Sequence, residues 1–287
     1  MNEEKAILTA EKQFIDYLKK QGKSSSTILA YNNDLNQFAD FLNKRQITQI
    51  TSVGKEQIEE FKEFLNFNKY LPKSASGKLN AIKSFFRYLK NQNLIEGNPS
   101  ENVDYPQYES KAPRILTQME YRSLRDAVRN DIRMSAVIEI LLQTGMRIGE
   151  LARLELEDLK DSQIRIRLYE SQPERLIILN QAAKKSLDHW LDFRPKTKTK
   201  NIFITKTGRP FLIRNIRTII NRYFKEAEIK NATINDLRHT FIAHQLGNGT
   251  SVVLIQKLVG HKRLSTTEKY LNLVNQSSEA KIKIEEL

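Results

Sequence analysis

The feature that most constrains this chain is the spacing of its apolar residues before position 92, which recur at intervals of three and four. Phe14, Tyr17 and Leu18 form one stripe, and Leu35, Phe38, Phe41 and Leu42 form another. The spacing predicts four amphipathic helices, over roughly residues 4–21, 25–44, 55–69 and 74–91. Ser24 to Ser26 stand where the second helix needs an N-cap, and Ser74 or Ser76 where the fourth would begin. Gly22, Gly54 and Pro72 mark the joints. Helices with a single apolar stripe are stable only when the stripes are buried together, so this part of the chain is expected to be a small helical bundle.

After residue 91 the period stops. The stretch NQNLIEGNPSENVDYPQYESKAPRIL carries three prolines and a glycine and reads as a linker. A length of 287 residues suits two domains with separate cores, and the division expected is 1–105 and 106–287. The second domain is again mainly helical. Its interruption is a pair of β-rich runs, IRIRL (164–168) and RLIIL (175–179), separated by a short polar loop and read as a hairpin. NIFIT (201–205) is expected to add a third strand. The fold class is therefore mainly α, with a small antiparallel sheet in the second domain.

Charge narrows the partners. The net charge is +13, and residues 113–287 carry 31 basic against 20 acidic side chains, leaving the first 112 nearly balanced at +2. The run from Arg194 to Lys225 holds ten basic residues and no acid, including Lys196, Lys198, Lys200, Arg209, Arg214 and Arg217. Such clustering is the electrostatic footprint of a surface that tracks phosphates, so nucleic acid is the expected partner, ahead of an anionic membrane surface, and those six side chains are the expected contacts. With no cysteine, disulfides, thiolate nucleophiles and cysteine zinc sites are excluded. Four histidines, none paired at HExxH spacing, argue against a metal site, and no cofactor is expected. An acidic start without an apolar segment, and no run of about 18 apolar residues, point to a cytoplasmic protein with no membrane partner.

Four segments of the second domain carry chemistry: TGMRIGEL (144–151), the hairpin, INDLRHTF (234–241) and LVGHKRLSTTEKYLNL (258–273). Arg147 and Glu150 lie three apart, which puts them on one face if a helix begins here. In order and spacing these segments resemble the tyrosine recombinase and phage-type integrase family, above all its Xer-like members. The family's marks are an Arg in TG-x-R-x-x-E-L, a Lys in a β-hairpin, a His-x-x-Arg pair, a Gly-His, and a Tyr nine residues after that His; the hairpin Lys and the first His are altered here. The S-x-x-T-x-x-x-Y-x-x-D-L pattern from Ser24 to Leu35 is similar to that family's core-binding domain, so the resemblance spans nearly the whole chain.

The resemblance implies a SAM-like helical core-binding domain followed by a catalytic domain. It assigns catalysis to Arg147, Arg238, His261 and Tyr270. The two arginines would neutralise the nonbridging oxygens of a scissile phosphate, which is how a metal is dispensed with. His261 would hydrogen-bond that phosphate, and Tyr270 would form a 3′-phosphotyrosine and release a 5′-hydroxyl. It also implies double-stranded DNA as the partner and self-association to a tetramer on that DNA, or pairing with a related recombinase subunit, for integration, excision or dimer resolution. The tail from Asn275 to Leu287 alternates apolar and polar residues and is expected either to dock on a neighbouring protomer or to stay solvated. His239 and His244 fall on no catalytic position of the family.

Two positions depart from the family. Glu170 stands where its hairpin lysine would protonate the leaving oxygen, and Asn235 where the first histidine of His-x-x-Arg would stand. An ionised carboxylate repels phosphate, and an amide cannot accept a proton, so each change is expected to slow the reaction by ~10² to 10⁴. A shifted hairpin would bring Arg165, Arg167 or Arg175 to the site instead, although a guanidinium is a poor acid. These departures keep open a second reading, a DNA-binding or architectural protein that has lost catalysis.

Overall fold

The structure is a computed structural model that describes residues 6–109, 112–170 and 172–277. The chain divides into two compact units, Met1–Lys111 and Ala112–Leu287. Of the tail from Asn275 to Leu287, expected either to dock on a neighbouring protomer or to stay solvated, residues 278–287 lie outside the described residues.

Among its described residues the first unit contains four α-helices: α1 (Ile7–Lys20), α2 (Ser25–Asn43), α3 (Lys55–Phe67) and α4 (Pro72–Asn91). Each forms where the 3.6-residue period lays an apolar stripe, and the stripes meet in a core of Phe14, Leu35, Phe38, Leu42, Phe61, Leu79, Phe85 and Phe86. Phe38 meets Phe61 edge to face at 5.1 Å. Ser24 caps α2 as expected, its hydroxyl accepting from the Thr27 amide at 3.1 Å. The expected cap of the fourth helix is corrected. Helix α4 starts at Pro72, so Ser74 and Ser76 lie within it. Proline suits the first helical position because its missing N–H would have had no partner there.

Glu11 is a buried acid on α1 whose Oε1 makes no hydrogen bond among the described residues. Burial, and next the charge of Asp40, raise its pKa from 4.5 to about 7. Across that window the folded chain keeps a proton that the unfolded chain releases. Stability therefore falls as pH rises from 4.5 to about 7 and stays reduced above it. Replacing Glu11 by Gln is expected to stabilise the protein by on the order of 1–3 kcal/mol at pH 8 and to change nothing near pH 4.5. Denaturant titrations at the two pH values check this, and equal midpoints at pH 8 refute it.

The second unit is built on α6 (Ile132–Thr144), buried on nearly all sides and flanked by α5 (Gln118–Ala127), α8 (Gln181–Phe193) and α10 (Ile234–Gly247). A short α7 (Ile148–Arg153) precedes the sheet; α9 (Ile213–Glu226) packs on α5, α7 and α10. Helices α11 (Val252–Val259), α12 (Leu264–Glu268) and α13 (Leu271–Ser277) close the order.

The sheet is antiparallel, in the order β1 (Leu159–Lys160), β2 (Gln163–Ile166), β3 (Arg175–Ile178). Ile164 pairs with Ile177 on the buried face. The hairpin is thus present, but NIFIT is not the third strand; β1 is. Residues 201–205 make only single bridges, Asn201 to Glu155 and Ile204 to Pro210. Side chains satisfy their carbonyls in place of a strand: Trp190 and Arg194 donate to Ile202, and Arg133 to Ile204.

Candidate active site

Helix α6 ends on Gly145 with φ +60°, a left-handed turn that sends the chain back towards α7. A Cβ at this position would lie 2.4 Å from the Phe241 ring, so only glycine lets α10 approach so closely. Gly145→Ala is expected to destabilise the second unit by about 2–4 kcal/mol through the strained φ and the overlap. Gly149→Ala, where a Cβ meets nothing nearer than 3.5 Å, serves as the control and should be neutral or stabilising. Urea midpoints that moved equally for the two would contradict the argument.

Past that turn, Arg147 is the N-cap of α7 and Glu150 sits one turn in. The Arg147 amide donates to Glu150 Oε2 at 2.8 Å and its guanidinium to Oε1 at 3.1 Å, closing the expected pair. Arg238 comes from the second turn of α10, where it is 8% exposed rather than turned to solvent.

The two arginines meet at the end of α11. That helix stops at Gly260, φ +68°, and its last carbonyls have no helical partner. Guanidiniums supply the donors. Arg238 Nη2 donates to the Val259 carbonyl at 2.7 Å and Nη1 to that of Gly145 at 2.6 Å. Arg147 reaches Val259 at 3.3 Å and Gly260 at 3.1 Å. Arg175, from β3, donates to Leu258 at 2.8 Å and makes a two-pronged pair with Glu150, at 3.0 and 2.7 Å.

His261 follows immediately, its Nδ1 2.9 Å from the hydroxyl of the buried Thr267 on α12. Tyr270 lies just beyond α12 and is 5% exposed. Its ring lies nearly parallel to His261, 6.5 Å between centroids, and 5.9 Å from His239.

The electrostatics share one cause. Burial, then the neighbouring Arg147, lowers the Arg238 pKa to about 9, which still leaves it charged at neutral pH. Burial, then Arg238 and Arg147, lowers His261 to about 4, so its imidazole is neutral. Burial raises the Tyr270 phenol, while Arg238 pulls it back down. Burial also opposes the charge on Glu150, yet Arg175 and Arg147 outweigh it and hold the carboxylate ionised. Three guanidiniums against one carboxylate leave a surplus of two positive charges beside a phenol. Among the described residues no group of three His, Asp or Glu side chains could hold a metal. The arrangement is suited to an oxyanion whose negative charge grows during reaction.

The structure thus brings together Arg147, Arg238, His261 and Tyr270. Glu170 is exposed in the hairpin turn, beyond the Tyr169–Gln172 bridge, with a left-handed φ of +50°. Asn235 is exposed on the first turn of α10, three residues before Arg238. Lys196, Lys198, Lys200 and Arg209 are exposed between α8 and α9, and Arg214 and Arg217 are exposed along α9. Arg194, counted in the same basic run, turns inward instead and donates to the carbonyls of Thr199, Asn201 and Ile202. Arg165 and Arg167 pair with Asp158, and Arg167 also with Glu155 and Glu157. Thr267 went unnoticed in the sequence; its only signal there is its place in the STTEKY run between His261 and Tyr270.

Residues 114–277 match the Phage integrase family, and residues 12–93 match the Phage integrase, N-terminal SAM-like domain. The chain is 30% identical to the tyrosine recombinase XerC of Herpetosiphon aurantiacus, over 92% of this chain and 90% of that one. It is also 30% identical to the tyrosine recombinase XerD of Rickettsia bellii, covering 91% and 93%. Among solved structures, a lambda integrase tetramer bound to a Holliday junction shares the fold, with a TM-score of 0.76 and 17% identity over 90% of this chain and 78% of that one. Matched over more than half its length and in both of its units, this chain belongs to the phage integrase family.

Proposed function

We propose that the protein is a tyrosine-class, site-specific DNA recombinase whose nucleophile is Tyr270. The observation that carries this reading is the surplus of two positive charges, from Arg147, Arg175 and Arg238 against Glu150, gathered beside a phenol. A phosphodiester brings one negative charge and a pentacoordinate transition state a second, so the pocket favours the transition state over the bound ground state. Tyr270 Oη gives up its proton to water as it bonds to phosphorus, the bond to the 5′-oxygen breaks, and a 3′-phosphotyrosine remains. The leaving oxygen takes a proton from solvent, because Glu170 stands in place of the lysine. A free 5′-hydroxyl then reverses the same steps and reseals the strand.

Residues 1–105 are assigned to DNA core binding and 106–287 to catalysis, with Lys196, Lys198, Lys200, Arg209, Arg214 and Arg217 as phosphate contacts. Self-association to a tetramer on DNA is the assembly proposed, supported by the likeness to the lambda integrase tetramer. Its place of action is proposed to be DNA in the cytoplasm; no helix among the described residues is long and apolar enough to cross a membrane. The DNA-binding reading without catalysis is not favoured, since a binding protein gains nothing from keeping a phenol beside paired arginines. The test uses a duplex selected by binding from a random-sequence pool and then nicked beside the cleavage position. Denaturant-resistant protein–DNA adducts are expected, and their absence on every selected duplex would sink the proposal.

A further inference from the structure

Arg175 is a third guanidinium of this site, and what it does there depends on the recombinase reading above. All of its interactions point inward. Nε donates to the Leu258 carbonyl, and Nη1 and Nη2 each take one oxygen of Glu150. Its side chain is 8% exposed and that of Glu150 4%, so Arg175 is not placed to touch DNA. Both Glu150 oxygens are shared with Arg147, one through the backbone amide and one through the guanidinium. A Cβ on Gly260 would lie 3.0 Å from Arg175 Nη1, so the glycine beside His261 leaves the room that Arg175 occupies.

We propose that Arg175 is a positioning residue for the reaction: through Glu150 it sets Arg147, and through Leu258 it holds the turn that presents His261. The chemistry suits arginine alone, because its planar fork spans two carboxylate oxygens while a third N–H points elsewhere, and an ammonium offers no such fixed geometry. Arg175 also adds its charge to those that keep His261 neutral, behind burial, Arg238, Arg147 and His239.

The test compares the full-length wild type with Arg175→Lys, Arg175→Gln, Glu150→Gln and the Glu150→Gln/Arg175→Gln double variant. Three quantities are read: the single-turnover rate of adduct formation on the nicked duplex, the affinity for the same duplex, and the NMR titration of the His261 imidazole. Arg175→Lys and Arg175→Gln are expected to slow adduct formation by roughly 10- to 100-fold, the scale of a small misplacement of reacting groups. DNA affinity should change by less than about twofold, since no phosphate contact is lost. In Arg175→Gln the His261 pKa should rise, because a nearby cation is gone. The double variant should be no slower than the slower single variant, as expected of residues acting in series.

An unchanged rate, a loss of affinity in step with the rate, an unmoved His261, or multiplying effects in the double variant would each overturn the proposal while leaving Tyr270 chemistry intact. A wild type that forms no adduct would instead overturn the recombinase reading, and this one with it. Should Arg175→Gln alone fail to fold, the double variant, which removes both partners of the Glu150–Arg175 pair together, carries the comparison.

Discussion

Tyr270→Phe is expected to abolish the covalent protein–DNA adduct completely, with DNA affinity within about twofold of wild type and thermal stability unchanged or slightly raised. The asymmetry follows from where the residue sits. Its ring belongs to a buried apolar cluster with Phe241, Ile242, Leu246, Ile255 and Val259, and phenylalanine preserves that ring. Only the hydroxyl is lost, and burial had already made its ionisation harder. No neighbouring hydroxyl can take over, since adduct chemistry needs an oxygen in line with the phosphorus. The measurement is denaturing electrophoresis of the nicked duplex after incubation, with mass spectrometry of the wild-type adduct to locate the phosphate. A surviving adduct in Tyr270→Phe, or a phosphate mapped to another of the ten tyrosines, would refute the assignment.

The second large effect is expected at Arg238. Replacement by Met should slow adduct formation by ~10² to 10³, the range for removing one preorganised donor from a developing oxyanion. Arg238→Lys should recover little, because one ammonium cannot replace two N–H groups held apart in a plane. Stability is expected to respond differently. Burial and the nearby Arg147 both disfavour the charged guanidinium, as its pKa of about 9 records. Removing it relieves that strain but strands the Gly145 carbonyl and leaves that of Val259 only its longer bond from Arg147, so the folding free energy should shift by no more than about 1 kcal/mol. A site assembled at some expense of stability is what catalysis of this type requires. If Arg238→Met unfolded the protein and Arg238→Lys retained full activity, Arg238 would be a structural residue.

Much of this was legible before any coordinates. The four helices of the first unit follow from a 3.6-residue period, because only a helix brings Phe14 and Leu18, or Leu35, Phe38 and Leu42, to one side. Tyr270 and His261 could be singled out only through the family resemblance, His261 by its Gly-His and Tyr270 by lying nine residues after it and 32 after Arg238. The start of α4 was misread because proline acts as a breaker inside a helix but is welcome at its first residue. The strand expected at NIFIT failed because β-rich composition says nothing of where carbonyls find partners, and here Trp190, Arg133 and Arg194 supply them.

By itself the sequence determined which segments are helical, where the hairpin forms and which side chains carry charge, since these depend on neighbours a few residues away. Tertiary structure alone decided that Arg147, Arg175 and Arg238 converge on carbonyls of Leu258, Val259 and Gly260, up to 113 positions distant. It alone moved His261 to about 4 and Arg238 to about 9. The reason is that desolvation and Coulomb forces act through space, and their strength depends on which surfaces are excluded from water, a quantity no local pattern encodes.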